Sequence, residues 1–391
     1  MFVSALKQVS NLDVLVLPIF HSGKQNQNAP QYNDRLRYLP VPQASLADSQ
    51  FALIKMMNNP AEQLAAFRNY GKPSVFGAIS AAVLPECLAL INGEAYRHVH
   101  VFRTYCAPLG LEIANRLQEK SKAAVTKSLD VDEDDGSVFH EIALSKLRKG
   151  QGSSAFWDQL EARSHEHLSR NVMADFDTVF VSSDVEKARL HHKYGVASIC
   201  APNAITGTLS RQKSLARGPL LFVGTMGYYP NQDAMDWFLK SCWPVLSGAE
   251  QRTMVIIGAG PKAVLERYNR IAGVRALGWV DNIGQHYREA FLFIVPLRIA
   301  GGTRIKLLEA AAHGVPIVST AKGAEGLGMR EKRDFWQADS ATAFVSAIRS
   351  ATVSRGERDR RLSNARTYVS RAHSFHRVTG QVSEIVHQML N

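Results

Sequence analysis

PLRIAGGTRIKLLEAAAHGVPIVSTAKGAEG, residues 296–326, is the stretch on which the reading of this chain turns. An apolar run ends at Val295, a glycine pair follows at Gly301 and Gly302, and a helical pattern opens at Thr303. A threonine there serves as N-cap and places Arg304 and Lys306 in the first turn. Cations at that end oppose the helix dipole, whose N-terminal end is already positive. Such broken local rules are expected at functional sites. The simplest compensation is a bound anion, held by free backbone N–H groups together with Arg304 and Lys306. A diphosphate suits this well. Farther along, Ile305, Leu308 and Ala312 are expected to face a sheet, small Ala310–Ala312 allow close packing, and Gly314 with Pro316 ends the helix. Glu309 lies about one turn beyond the expected phosphates, where a carboxylate can accept from two ribose hydroxyls. Spacing alone slightly favours an exposed Glu309 paired with Lys306 at i,i+3.

Outward from this stretch the pattern is α/β, with short apolar runs alternating with longer amphipathic ones. In the second half, Leu220–Val223, Thr253–Ile257, Val274–Ala276, Phe291–Val295 and Pro316–Ser319 read as strands. Helices are expected near Gln232–Lys240, Lys262–Ile271, Ile283–Ala290 and Thr303–His313, giving a parallel sheet whose strand ends form a ligand-binding edge. In the first half, strands are expected at Asp13–Leu17, His98–Phe102, Ala123–Leu129 and Thr178–Val181. Helices are expected at Gly110–Lys120, Ser154–Val172 and Asp184–Tyr194, the last capped by Ser183 or Asp184 and ended by Gly195. Thr206–Gly218 (TGTLSRQKSLARG) is polar, basic and aperiodic, as in an interdomain linker. The expected organisation is a domain over 1–205, a linker over 206–218, a second domain over 219–375 and a C-terminal helix over 376–391 that packs back on the first domain.

LLFVGTMGYYPNQDAMDWFL (Leu220–Leu239), VIIGAGP (Val255–Pro261), LGWVDN (Leu277–Asn282), GGTRIKLLEAAAHGVPIVST (Gly301–Thr320) and GAEGL (Gly323–Leu327) occur in that order. Together they resemble family 4 of the retaining glycosyltransferases, the "group 1" set. The likeness is strong over about 218–327 and weaker over 98–205. It implies the GT-B fold, two Rossmann-like domains with parallel sheets facing across a cleft, and an enzyme moving a sugar from a nucleotide-diphosphate donor to a saccharide or lipid-linked acceptor, in polysaccharide assembly at the cell surface. The resemblance puts the donor in the second domain. Gly278, Trp279 and Val280 would line the base, Glu309 would bind the ribose, and Arg304 and Lys306 the diphosphate. Gly227 would let backbone approach the phosphates, and Gly301, Gly302 and Thr303 would lie beside the transferred sugar. The pattern departs from the family in two places. Its paired glutamates stand eight positions apart, yet Gly301 occupies the first position here. The arginine and lysine often found after the first strand of this domain are absent from Gly224–Asn231, and Arg304 and Lys306 would take over that charge. The family also opens with a strand and a glycine-rich loop, whereas this sequence opens with helix-like Met1–Val9 and then the second strand.

SLDVDEDD (Ser128–Asp135) packs five acids behind a strand. A metal-binding pair, Asp130 with Asp132, is one reading; a solvated acidic turn is another. The resemblance favours a cleft position without metal, with Asp132 or Asp134 touching an acceptor hydroxyl. Arg103 ends the preceding strand, aimed at the same cleft or paired with the acids. His165, His167, His191 and His192 read as surface residues, and HSGK (His21–Lys24) lacks the spacing of a phosphate loop.

At 391 residues, with 46% hydrophobic and 21% charged residues, the chain suits two globular domains. No apolar run approaches the roughly 20 residues that span a bilayer, and no secretion signal opens the chain. A cytoplasmic enzyme is expected. The four cysteines form no disulfide or zinc spacing and read as buried thiols. The net charge of +11, concentrated at Arg330–Arg333 and Arg355–Arg366, fits either a solvated basic surface or attraction to an anionic membrane carrying the acceptor. No nucleic-acid signature accompanies it. Neither cofactor nor metal is expected. Rival readings are a nucleotide-sugar epimerase, a dinucleotide oxidoreductase suggested only by Gly258–Gly260, and a non-catalytic scaffold that binds the donor.

Overall fold

The computed structural model describes residues 2–9, 11–16, 36–38, 49–77, 83–91, 95–206, 209–210, 212–250 and 252–390. The HSGK loop and Leu17 lie outside the described residues. The chain forms two compact units, Met1–Ala201 with Thr379–Asn391, and Pro202–Val378.

The first unit runs α1 (Phe2–Val9), β1 (Val14–Val16), β2 (Leu36–Tyr38), α2 (Ser49–Met56), α3 (Pro60–Tyr70), α4 (Leu84–Leu90), β3 (His98–Phe102), α5 (Ala107–Ser121), β4 (Thr126–Asp130), α6 (Asp135–Arg148), α7 (Gly152–Val172), β5 (Thr178–Val181), α8 (Asp184–Tyr194) and β6 (Ile199–Cys200). Strands β3 to β6 form a parallel sheet in chain order, and β1 pairs in parallel with β2. Ser183, not Asp184, caps α8 by accepting from the Glu186 N–H, and Gly195 ends it at φ 71°. Helix α6 was not anticipated, because its first turn carries the acids that read as a loop.

The second unit runs β7 (Leu220–Val223), α9 (Tyr229–Ser241), α10 (Trp243–Glu250), β8 (Met254–Ile257), α11 (Lys262–Asn269), β9 (Val274–Gly278), α12 (Ile283–Glu289), β10 (Leu292–Val295), α13 (Ile305–His313), β11 (Ile317–Ser319), α14 (Ala321–Ala324), β12 (Trp336–Gln337), α15 (Ala341–Val353) and α16 (Arg355–Ala372). Helix α17 (Phe375–Leu390) starts in this unit and ends in the first. Its six-stranded parallel sheet has the order β12-β11-β10-β7-β8-β9. Both faces are buried. Leu220, Phe222, Leu292 and Ile294 enter one apolar cluster, while Leu221, Phe293 and Val295 enter the other. Burying each such side chain is worth about 1.5–3 kcal/mol, so the central strands are firmly anchored. The strand order reverses between β7 and β10, and ligands of such sheets bind beyond the strand C-termini at that reversal.

Two expectations need correction. The stretch read as a linker is fastened to the second unit: Ser210 N donates to Ala312 O at 2.7 Å, Gln212 Nε2 to Arg288 O at 3.0 Å, and Ser214 Oγ to Asp359 Oδ1 at 2.6 Å. One backbone N–H and two polar side chains supply these bonds, which hydropathy does not register. The basic run of α16 is also partly internal. Arg358 is buried against the Phe291 ring and donates to Thr352 O, and Arg361 lies over the Trp336 ring and donates to Phe335 O. Its guanidinium groups serve as carbonyl ligands as well as surface charge. Among the described residues, no helix is long and apolar enough to cross a membrane.

Candidate active site

The loops after β7 and β10 meet where the strand order reverses. The β7 loop is packed backbone against backbone on the β8 loop. Gly224 N donates to Ile257 O at 2.8 Å and Met226 N to Ala259 O at 2.6 Å. Gly258 lies at φ +146°, and a Cβ on it would sit 2.1 Å from Gly224 O, so no other residue fits without moving backbone. Gly227 stands farther out, where an added Cβ meets nothing nearer than Thr225 Cγ2 at 3.8 Å.

Lys306 reaches from the first turn of α13 to this loop. Its Nζ donates to Asn231 Oδ1 at 3.1 Å and lies 4.7 Å from the Phe222 ring centroid. Asn231, buried in the first turn of α9, also donates from Nδ2 to Thr225 O at 3.0 Å. Burial first, then repulsion from Arg304, pushes the Lys306 ammonium down to about 7, with Glu309 opposing the shift. A cation this poorly neutralised stabilises an incoming anion strongly.

Arg304 is placed differently from expectation. It, and not Thr303, is the N-cap of α13, and no side chain caps the helix. Only 6% exposed, its guanidinium faces carbonyls: Nε to Gly323 O at 3.2 Å, Nη1 to Gly301 O at 3.0 Å and Gly302 O at 2.6 Å, and Nη2 to Glu325 O. It therefore ties the glycine-pair loop to the turn at α14 and is not aimed at a diphosphate. Register explains the shift: starting α13 at Ile305 puts Lys306 alone in the first turn. Ile305 then points outward at 39% exposure, whereas Leu307, Leu308 and Ala310–Ala312 are buried.

Glu309 is half-buried and accepts from Tyr287 Oη of α12 at 3.2 Å, while its charge also acts on Lys306. Tyr287 stacks on His313 with centroids 4.9 Å apart. Gly302 has φ 59°, and Thr303 Oγ1 accepts from Asn203 Nδ2. At the end of β9, Gly278 has φ 72°, Trp279 is 74% exposed and Val280 packs against the core. Asn231 escaped the sequence reading as a site residue, because a lone asparagine carries no signal of what it will face. Arg298, bidentate on buried Asp233 at 2.8 and 3.0 Å, escaped for the same reason.

In the first unit, Arg103 follows β3 at φ 75° and Asp132 follows β4 at φ 42°. Arg103 binds Asp132 Oδ2 at 2.7 Å and Glu133 Oε1 at 2.8 Å, the paired alternative of its two readings. Burial, then repulsion from Asp132, pushes the Asp130 carboxyl up to about 7. Asp134 does not fit an acceptor role. It is buried, with Oδ1 accepting from Tyr194 Oη at 2.9 Å and Oδ2 from Ser137 Oγ at 2.5 Å and Lys193 Nζ at 3.0 Å. Burial alone would raise its carboxyl, yet these donors hold it below the usual range. His165 is likewise no surface residue; it is buried and stacked on Phe139 at 5.2 Å, and burial pushes it down to about 4.

Residues 217–352 match the family model described as "Glycosyl transferases group 1". No curated protein matches the chain. Among solved structures, sucrose-phosphate synthase of Thermosynechococcus elongatus superposes with a TM-score of 0.68 at 14% identity, over 99% of this chain and 91% of that one. HepE of Anabaena, solved with UDP and glucose, gives 0.59 at 11% identity over 91% and 87%. WaaG, a glycosyltransferase involved in lipopolysaccharide biosynthesis, gives 0.52 at 15% identity over 71% and 82%. At these identities the likeness establishes the fold, which is GT-B.

Proposed function

We propose that this chain, which carries a group 1 glycosyltransferase domain, transfers a sugar from a nucleoside diphosphate donor bound by its second unit to a hydroxyl of a saccharide or lipid-linked acceptor. The observation that carries this reading is Lys306: a half-buried ammonium at the uncapped start of α13, held by Asn231 over the β7 loop at the reversal of strand order. The sequence departs from the family by lacking cations in that loop, and Lys306 delivers one to the same place from another strand. In this reading the diphosphate lies between Lys306 and the α13 start, Glu309 accepts from the ribose, Gly278–Val280 border the base, and the Gly301–Thr303 loop borders the sugar. HepE has been solved with UDP-glucose, which supports a nucleotide-sugar donor here.

The bond from the anomeric carbon to the diphosphate breaks as a bond to the acceptor oxygen forms. The acceptor's proton passes to the departing diphosphate oxygen, on the same face, so configuration is retained and no protein base or metal is required. Lys306 and the helix start stabilise the charge gathering on the leaving group, a contribution of about 3 kcal/mol for one well-placed donor. Asp132, with Arg103, belongs to the acceptor side in this reading, and family 4 membership and a role in cell-surface polysaccharide assembly complete it. Incubating the protein with UDP- and GDP-sugars and following free nucleotide tests the activity. Slow release from one donor, abolished in Lys306→Ala, is expected, whereas saturable binding without any release would make the chain a donor-binding scaffold.

A further inference from the structure

The glycine-pair loop is held from two sides, and one of them involves residues outside the sequence motifs. Thr303 leaves its helix uncapped: its side chain accepts from Asn203 Nδ2 instead of from a backbone N–H of α13. Asn203 is itself braced. His373, 4% exposed, places Nδ1 2.8 Å from Asn203 O and Nε2 3.3 Å from Leu327 O. Ile205 N donates to His373 O at 2.8 Å, and Ile205 bridges Ser374. Arg304 closes the circuit from the Gly323–Glu325 turn back to Gly301 and Gly302. The loop is thus strung between two fixed points, Arg304 on one side and Asn203 on the other.

The bond has a chemical consequence. A threonine hydroxyl offers one proton and two lone pairs. With one lone pair filled by the Asn203 amide and no helix N–H to receive, the hydroxyl's own proton is directed away from Asn203. It is left to donate to an oxygen brought by a ligand. Fixing the rotor in advance removes the entropy that a free hydroxyl spends on finding that direction.

We propose that Asn203 is a positioning residue of the donor site, orienting the Thr303 hydroxyl to donate to a phosphate or sugar oxygen of the nucleoside diphosphate sugar. This rests on the donor reading above. Asn203 and His373 both lie beside the points where the chain crosses between the units, Ala201–Pro202 and Val378–Thr379. The same bonds that orient Thr303 therefore also pin the segments by which the chain enters and leaves the donor-binding unit.

A double-mutant cycle tests this on the full chain. UDP, GDP and their glucose conjugates are titrated calorimetrically into the wild type, Asn203→Ala, Thr303→Val, Thr303→Ser and the double variant Asn203→Ala/Thr303→Val. Each of the first two substitutions is expected to weaken binding about five- to tenfold, the worth of one hydrogen bond. The double variant should be no weaker than either alone, and Thr303→Ser should match the wild type. A general loss of fold would make the losses multiply and would not be rescued by serine. Weakening seen with the free nucleotide assigns the proton to a phosphate oxygen; weakening confined to the glucose conjugates assigns it to the sugar. Unchanged affinity in Asn203→Ala, or losses that multiply in the double variant, overturns the proposal while leaving the donor site standing. A wild type that binds none of these compounds overturns the donor reading and this inference with it.

Discussion

Lys306 Nζ sits 3.1 Å from Asn231 Oδ1, joining the first turn of α13 to the first turn of α9 across the strands β10 and β7. Two helix starts, each with its dipole positive at this end, thus share one lysine. The arrangement is poised for an anion.

A pH dependence of donor binding follows. In the free protein the Lys306 ammonium titrates near 7 because burial and Arg304 disfavour its charge, and a bound diphosphate raises that value. Above pH 7, binding must then take up a proton, so the dissociation constant for a nucleoside diphosphate should rise toward about tenfold per pH unit between 7 and 9. The terminal phosphate itself titrates near pH 6 and is already ionised in this range. Calorimetry in buffers of different ionisation enthalpy reads the proton directly, and Lys306→Met should abolish both the uptake and the pH slope.

The same shift has a stability sign. The folded value lies below the ordinary 10.5, so the unfolded chain binds more protons between about 7 and 10.5, and Lys306 makes folding more favourable as pH rises through that window. Denaturant melts of wild type against Lys306→Met should show the wild type gaining relative stability from pH 7 to 10.

Arg304 is expected to matter for stability before it matters for phosphate. Arg304→Ala removes a buried cation from the carbonyls of Gly301, Gly302, Gly323 and Glu325. The cost should be about 3 kcal/mol, lowering the melting midpoint of the second unit by about 6–12 °C. Arg304→Lys should recover only part, since an ammonium cannot reproduce the planar fork. A stable Arg304→Ala protein that has lost nucleotide binding would return Arg304 to the diphosphate.

Two glycines separate close packing from ligand access. Gly258→Ala drives a Cβ to 2.1 Å from Gly224 O at a left-handed φ, and should destabilise by about 2 kcal/mol in denaturant melts. Gly227→Ala meets only an ordinary contact, with Thr225 Cγ2 at 3.8 Å. It should leave stability within about 0.5 kcal/mol and weaken nucleotide binding only through the ligand it obstructs.

Asp134 belongs to the structure of the first unit. Asp134→Asn breaks its pairing with Lys193, and a loss of about 3 kcal/mol is expected. Its carboxyl is held below the ordinary 3.8, so its contribution is complete above that value and fades as pH falls through the folded one. The gap between variant and wild type should therefore narrow below about pH 4, with donor binding unaffected throughout.

Much of the second unit was legible because short apolar strands alternating with longer amphipathic helices dictate a buried parallel sheet. The short edge strands β6 and β12, two residues each, carry no periodicity to read. At the site, Lys306 was legible as a cation in the wrong place on a helix. Arg304 was misread by one residue of helix register, which turned a carbonyl clamp into an expected phosphate ligand. Asp134 and Arg103 were visible as charges, yet whether an acid meets a substrate or a lysine such as Lys193 depends on a contact 59 positions away. Asn231 left no trace in the pattern, since its role lies in what it faces across the fold.

The central claim is a nucleoside diphosphate site at Lys306, and the dissociation constants of UDP and GDP for wild type and Lys306→Ala test it most directly. Saturable binding of one nucleotide, at least tenfold weaker in the variant at pH 7 and unchanged in Asp134→Asn, is the expected result. Equal affinity in wild type and Lys306→Ala, or no binding of either nucleotide to the wild type, would contradict it.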